Sequence, residues 1–224
     1  MKRAQLKRVS CYVAAALALL TLCGGLLHTR AGRPLLARLG LGCPMKASAE
    51  DIESARYESA RAQRGTRTAL ARPALGFALD RMSQSDVEAW ADAHRVSCEA
   101  VRAGLLRCSD VPVTALAGTG PAIVRLDFGF SLGTGRLVNL SAWRAGLSSS
   151  VAAAQMNTVV ASMKEAVGEP TREAGSRTAQ YLAAGPLHTA VVQYRFKDYI
   201  ADVSATNIVG RGVSLREHYM AVQD

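Results

Sequence analysis

Histidine is scarce in this 224-residue chain: His28, His94, His188 and His218 are all there are. His-based metal chemistry is therefore thinly supplied. No P-loop, GxGxxG, CxxC, HExxH or EF-hand loop occurs. That removes the nucleotide, dithiol, zinc-protease and calcium chemistries that depend on those motifs, and no cofactor is implied. Acidic residues are missing altogether from residues 1–46, which hold eight of the 27 Lys and Arg. The formal charge of +9 therefore collapses in residues 47–224 to 19 basic against 18 acidic residues. A chain balanced in this way has no phosphate-binding face implied by charge, which argues against nucleic acid as a partner.

What is present begins with a basic head, residues 1–8, followed by the uncharged run 9–27. As a helix this run spans roughly 28 Å, close to one hydrocarbon core. It is longer than the apolar region of about 7–15 residues in a cleaved signal peptide. The expectation is an uncleaved transmembrane anchor, with the lipid bilayer as its partner. A cut after Gly25 or Ala31 is the alternative. Leu20-Thr21-Leu22-Cys23 resembles a lipoprotein box, with Leu22 where a small residue is needed. Lys2, Arg3, Lys7 and Arg8 precede the run, and Arg30, Arg33 and Arg38 follow it. With the amino terminus, this tips the head inward. The expected address is the inner (cytoplasmic) membrane, single-pass, with the C-terminal part extracytoplasmic.

Residues 28–46 read as a linker and 47–72 as a juxtamembrane helical segment. There Ser48 caps, Glu50, Asp51 and Glu53 lead, Arg61 and Arg64 close, and Ile52, Ala55 and Ala62 form a thin apolar stripe. Residues 73–224 read as an α+β domain of two units, about 80–145 and 149–221. Arg72–Phe77 is an extended entry segment. Val87, Trp90, Ala91 and His94 then share a helical face. That helix is capped either by Ser83 with Asp86 or by Ser85 with Glu88. His94 is expected in the core or at the helix end. Strands follow at 96–101, 105–109, 123–130 and 136–143, with a loop at Arg102-Ala103-Gly104. A second helix from Ser149 or Ser150 carries Met156, Val159, Val160, Met163 and Val167 on one face and ends at Gly168 and Pro170. Four more strands are predicted at 178–182, 189–196, 199–206 and 213–220.

Cys98 and Cys108 are equidistant from the Arg102–Gly104 loop. Pairing Val101 with Leu105, Ala100 with Leu106 and Glu99 with Arg107 brings the two cysteines opposite one another, about 4.5 Å apart, within disulfide range. A slip of one residue would place the sulfurs on opposite faces. Two other readings stay open: a metal site built from His94, Cys98 and Cys108 with Cys43 or a distant His, or a Cys–His pair.

Gly129-Phe130-Ser131-Leu132-Gly133 fits the nucleophile-elbow pattern. Asp198 or Asp202, then His218, follow in hydrolase order. The elbow needs a strand, the serine and then a helix. Here glycines and a strand-like run follow Ser131, so a hairpin turn is expected. An exported serine hydrolase using Ser131, Asp202 and His218 is the alternative reading, and a thiol or metal module a third.

The order helix then β-meander, stated twice over residues 80–220 with a first-helix-to-strand junction ending Val-Gly-Glu-Pro in the second unit, resembles the β-lactamase-inhibitor-protein-like fold. Single units resemble the BamE class of small envelope proteins. The resemblance implies an extracytoplasmic binding or assembly role without catalysis, and carries no functional residue with it. The expectation is a membrane-anchored binding or scaffolding protein, not an enzyme, with an envelope protein as partner.

Overall fold

In a computed structural model, residues 48–116 and 120–222 are described. No helix among them is long and apolar enough to cross a membrane. The basic head, the apolar run 9–27 and the whole linker 28–46, Cys43 included, lie outside the described residues. The elements are α1 (Ala49–Gln63), α2 (Gln84–His94), β1 (Ser97–Arg102), β2 (Leu105–Val111), β3 (Ile123–Phe130), β4 (Leu137–Leu147), α3 (Ser149–Val167), β5 (Arg172–Ala174), α4 (Ala179–Ala183), β6 (Thr189–Arg195), β7 (Tyr199–Ile208) and β8 (Gly212–Ala221). A 3₁₀ turn, Val113–Ala115, follows β2.

The strands form one eight-stranded antiparallel sheet in the order β1-β2-β3-β4-β8-β7-β6-β5. Each four-stranded run is a meander preceded by a helix, and the runs meet where β4 pairs with β8. Period-2 alternation puts Leu126, Phe128, Leu140, Ala142, Val203, Ala205, Leu215 and Tyr219 on one face. Val87 and Ala91 of α2 and Met156, Val160 and Met163 of α3 close over that face as the main core. Ser83 caps α2 with a reciprocal Asp86 bond, and Arg95 ends it in the left-handed conformation. The Ser83 backbone and hydroxyl bonds hold the Asp86 carboxyl below its usual pKa.

Helix α1 lies on the opposite face, along a row of five strand residues: Gly129, Asn139, Met220, Ile200 and Arg195. Glu53 accepts from Leu132 N at 3.0 Å, and Arg56 abuts Gly129. Ala60 packs with Ile200, Met220 and Val222, and Gln63 Oε1 accepts from Arg195 at 3.4 Å. The packed face is thus 53, 56, 60 and 63, not the expected stripe of Ile52, Ala55 and Ala62. Small Ala60 permits close approach, and polar partners take the rest. Just beyond the helix, Gly65 meets the sheet edge so closely that a Cβ would lie 2.2 Å from Arg195 O.

Two other expectations fail locally. The strand expected at 178–182 is helix α4, because Thr178 accepts from Tyr181 N and nucleates a turn of Ala, Gln, Tyr and Leu. The fourth strand of the second meander is instead β5, Arg172–Ala174, too short to show a period. At the first hairpin, Arg102 pairs with Leu105, and the register shifts between Ala100 and Arg102. Gly104 takes φ +69° there, so the turn absorbs the odd residue at Val101 without moving Cys98 from Cys108.

Candidate functional site

Beside the row covered by α1, the same face carries two further rows. The first runs across all eight strands as Glu99, Arg107, Asp127, Ser141, His218, Asp202, Gln193 and Arg172, every one polar. The next is Ser97, Ser109, Arg125, Trp143, Arg216, Ser204, Val191 and Ala174. Strand alternation places these residues here: their sequence neighbours Leu126, Ala142, Leu215 and Val203 point into the core.

At the centre, two guanidinium groups sandwich one indole. Arg125 lies 4.4 Å and Arg216 4.8 Å from the Trp143 ring centroid. Cation–π attraction holds such a stack. Arg125 Nε stands 3.4 Å from Asp127 Oδ2, an ion-pair distance, yet it lacks hydrogen-bond geometry. Four side-chain N–H groups are buried without an acceptor among the described residues: Arg125 Nε, Trp143 Nε1, Arg216 Nε and Arg56 Nε. Three belong to the strands of this face and the fourth to α1, which lies on it. Burial pushes the Arg216 guanidinium below its usual pKa, and the Arg125 charge adds to this. The Asp127 bond pushes Arg107 up. The Arg125 side chain remains 38% exposed, so the stack opens to solvent on that side.

The polar row carries its own network. Arg107 grips Asp127 through two bonds, at 2.8 and 3.3 Å. Asp202 accepts from Arg195 at 2.6 Å and from Gln193 at 3.0 Å. His218 Nδ1 shares a 2.7 Å hydrogen bond with Ser141. Burial, chiefly, and then the charge of Arg216 push the His218 pKa down to about 4, against the opposing pull of Asp202.

The sequence-predicted site residues fall as follows. Asp202 and His218 are cross-strand partners, but the serine beside them is Ser141, not Ser131. Ser131 sits past the end of β3, four residues beyond Asp127 of that row, or about 13 Å of strand. Its hydroxyl accepts from Thr134 N at 3.4 Å inside a turn that leads directly into β4. The helix an elbow requires does not follow Ser131. Around Ser141 the backbone N–H groups serve the sheet ladder, so none is left to form an oxyanion hole. Asp198 accepts from Ala69 N at 2.8 Å and secures a loop.

Cys98 and Cys108 are bonded to each other across β1 and β2. Both thiols are consumed, so neither is available as a metal ligand or nucleophile. His94 is exposed. Its Nδ1 bonds Trp90 O at 2.8 Å, and its ring lies 5.4 Å from Trp90. It closes the end of α2 and does not enter the core. Among the described residues no group of three His, Cys, Asp or Glu could hold a metal ion.

Sequence reasoning missed Arg125, Trp143 and Arg216. Each alternates with core residues, which marks a strand's outer face, but nothing in the linear order shows that Arg216 is the neighbour of Trp143. Comparison of the chain with protein-family models, with curated proteins and with solved structures found no match.

Proposed function

We propose that residues 47–224 are an extracytoplasmic binding module, held at the inner membrane by residues 9–27, and that a protein partner docks on the sheet face around Trp143. The Arg125–Trp143–Arg216 stack carries this reading. Trp and Arg dominate the energetics of protein interfaces, and buried N–H groups lacking acceptors are rare enough to demand a reason. Carboxylates of a docked chain would meet the exposed part of Arg125, whose side chain is 38% exposed. Arg56, Arg107, Arg125, Arg172, Arg195 and Arg216 outnumber Glu53, Glu99, Asp127 and Asp202 around this face, which favours an acidic partner surface. The Cys98–Cys108 disulfide supports an oxidising compartment, and the basic head with its apolar run supports the anchor.

Ser204, beside Arg216 in the row, is the position for a photo-crosslinking side chain. In the intact cell envelope it should give a discrete adduct with another protein. The adduct should vanish when Arg125→Glu and Arg216→Glu are added. The same probe at Val151, exposed on α3, should give none. Equal crosslinking from both positions, or adducts indifferent to the charge reversals, would remove the face from consideration.

A further inference from the structure

The side of the sheet covered by α2 and α3 holds a cleft of about 500 Å³, on the far side from Trp143. Small-molecule pockets span about 300–1,000 Å³. The floor is Arg144 of β4 with Glu217 and Tyr219 of β8. One wall is α3 around Val159 and Met163, and the other is the segment 72–78.

The floor is built from charge in the core. The Arg144 side chain is 6% exposed and that of Glu217 fully buried. Arg144 Nη1 donates to Glu217 Oε1, and Tyr219 donates to Oε2 at 2.6 Å. Arg144 Nε donates to Pro121 O at 3.0 Å. Its Nη2 has no hydrogen-bond partner among the described residues. An ion pair in such a place costs desolvation that apolar side chains would avoid, and Arg144 Nη2 is not among the buried groups that lack a partner, so this edge of the guanidinium stays accessible.

The second wall is held in an uncommon shape. Leu75 takes φ +56°, followed by Gly76 at +92°. A branched residue rarely adopts that conformation, and such residues cluster at functional sites. Neighbouring bonds fix it: Tyr199 donates to Pro73 O at 2.5 Å and Arg72 to Asp80 at 2.6 Å. Phe77 is locked edge-on against Trp90 and Phe128, at 4.9 and 4.8 Å.

From this geometry we infer a second binding site, for an uncharged small molecule with an apolar body and a carbonyl-type acceptor at one end. The body lies against Phe77, Val159 and Met163, and the acceptor takes the open edge of Arg144. Glu217 already neutralises Arg144, so a ligand carboxylate would meet that buried carboxylate and be repelled. The acceptor is therefore uncharged.

Prodan, an uncharged aminonaphthalene ketone, is a suitable probe. Titrated into the folded body it should bind saturably, one per chain, with blue-shifted emission. Ser162 and Thr158 stand exposed on α3 at the rim, so Ser162→Trp and Thr158→Trp should leave the fold intact by circular dichroism. Each should weaken Prodan binding by about tenfold or more, and Val151→Trp, on the same helix away from the cleft, should not. Acetylnaphthalene should compete and naphthoate should not. Trp143→Ala should leave Prodan binding unchanged, which separates this site from the protein-docking face. Absence of saturable binding, binding indifferent to both rim substitutions, or preferential competition by naphthoate would overturn the inference.

Discussion

His218 shows how much one side chain's chemistry depends on its neighbours. By sequence it completes a hydrolase order; in the fold it is a neutral histidine between Ser141 and Asp202, with Arg216 beside it. Its pKa lies near 4 in the folded chain and about 6.5 in the unfolded one. Between those values the unfolded chain binds a proton that the folded chain refuses. Stability is therefore present above about pH 6.5 and is lost as pH falls toward 4. The shift corresponds to about 3 kcal/mol or slightly more at full extent. In His218→Gln this component should disappear, so that denaturation midpoints of variant and wild type converge as pH falls from 6.5 to 4.5. Parallel curves would show that His218 is protonated as readily in the fold as in water. The residue scale is also where a motif needs its context, and the hairpin turn expected at Ser131 is what the fold has. The Gly129–Gly133 pattern matches an elbow in letters, but Ser131 turns the chain into β4, and backbone context decides what a serine can do.

At the scale of elements, the first hairpin is the best-determined piece. The spacing of Cys98 and Cys108 about the Arg102–Gly104 loop leads to their pairing, and the fold has it. The bulge near Val101 was not legible, because turn type depends on backbone angles that Ala103-Gly104 only partly restrict. Closing so short a loop stabilises by about 2–3 kcal/mol in the chain-entropy picture. Cys98→Ala with Cys108→Ala should lower the urea midpoint by an amount of that size without unfolding the body. An unchanged midpoint would mean that β1 and β2 need no staple. Both long helices of the repeats and seven of the eight strands follow from hydrophobic period and caps. The exceptions are instructive. β5 has three residues, fewer than two periods of alternation, and exists because β6 offers it an edge. α4 replaces an expected strand because one threonine cap outweighed weak β character. Helix α1 is legible as a helix, but its packed face is not, since polar contacts to Leu132 and Arg195 leave no hydrophobic signature.

For the whole molecule, near-neutral charge and continuous helix- or strand-spaced apolar residues in 47–224 lead to a body that folds without the N-terminal 46 residues. Truncated protein should be soluble, with a circular-dichroism spectrum richer in strand than helix. Full-length protein fused after Asp224 should activate a periplasmic reporter and leave a cytoplasmic one silent. The reverse pattern would invert the proposed orientation, and with it the compartment in which a partner is sought.

What the sequence determined by itself is what local physics controls: helical and strand periods, caps, a nearly neutral body behind a basic and apolar N-terminal stretch, and the cysteine pairing across a short loop. Each depends on residues within about a dozen positions of one another. Tertiary structure alone decided which of those elements became neighbours. Joining the two meanders at β4 and β8 set Trp143 beside Arg216, Ser141 beside His218, and Arg144 beside Glu217, pairs some seventy residues apart in the chain. A linear sequence encodes the face a residue takes on its strand, because alternation is local. It leaves silent the strand that comes to lie alongside, because that is settled by closure of the whole sheet and burial of its shared core.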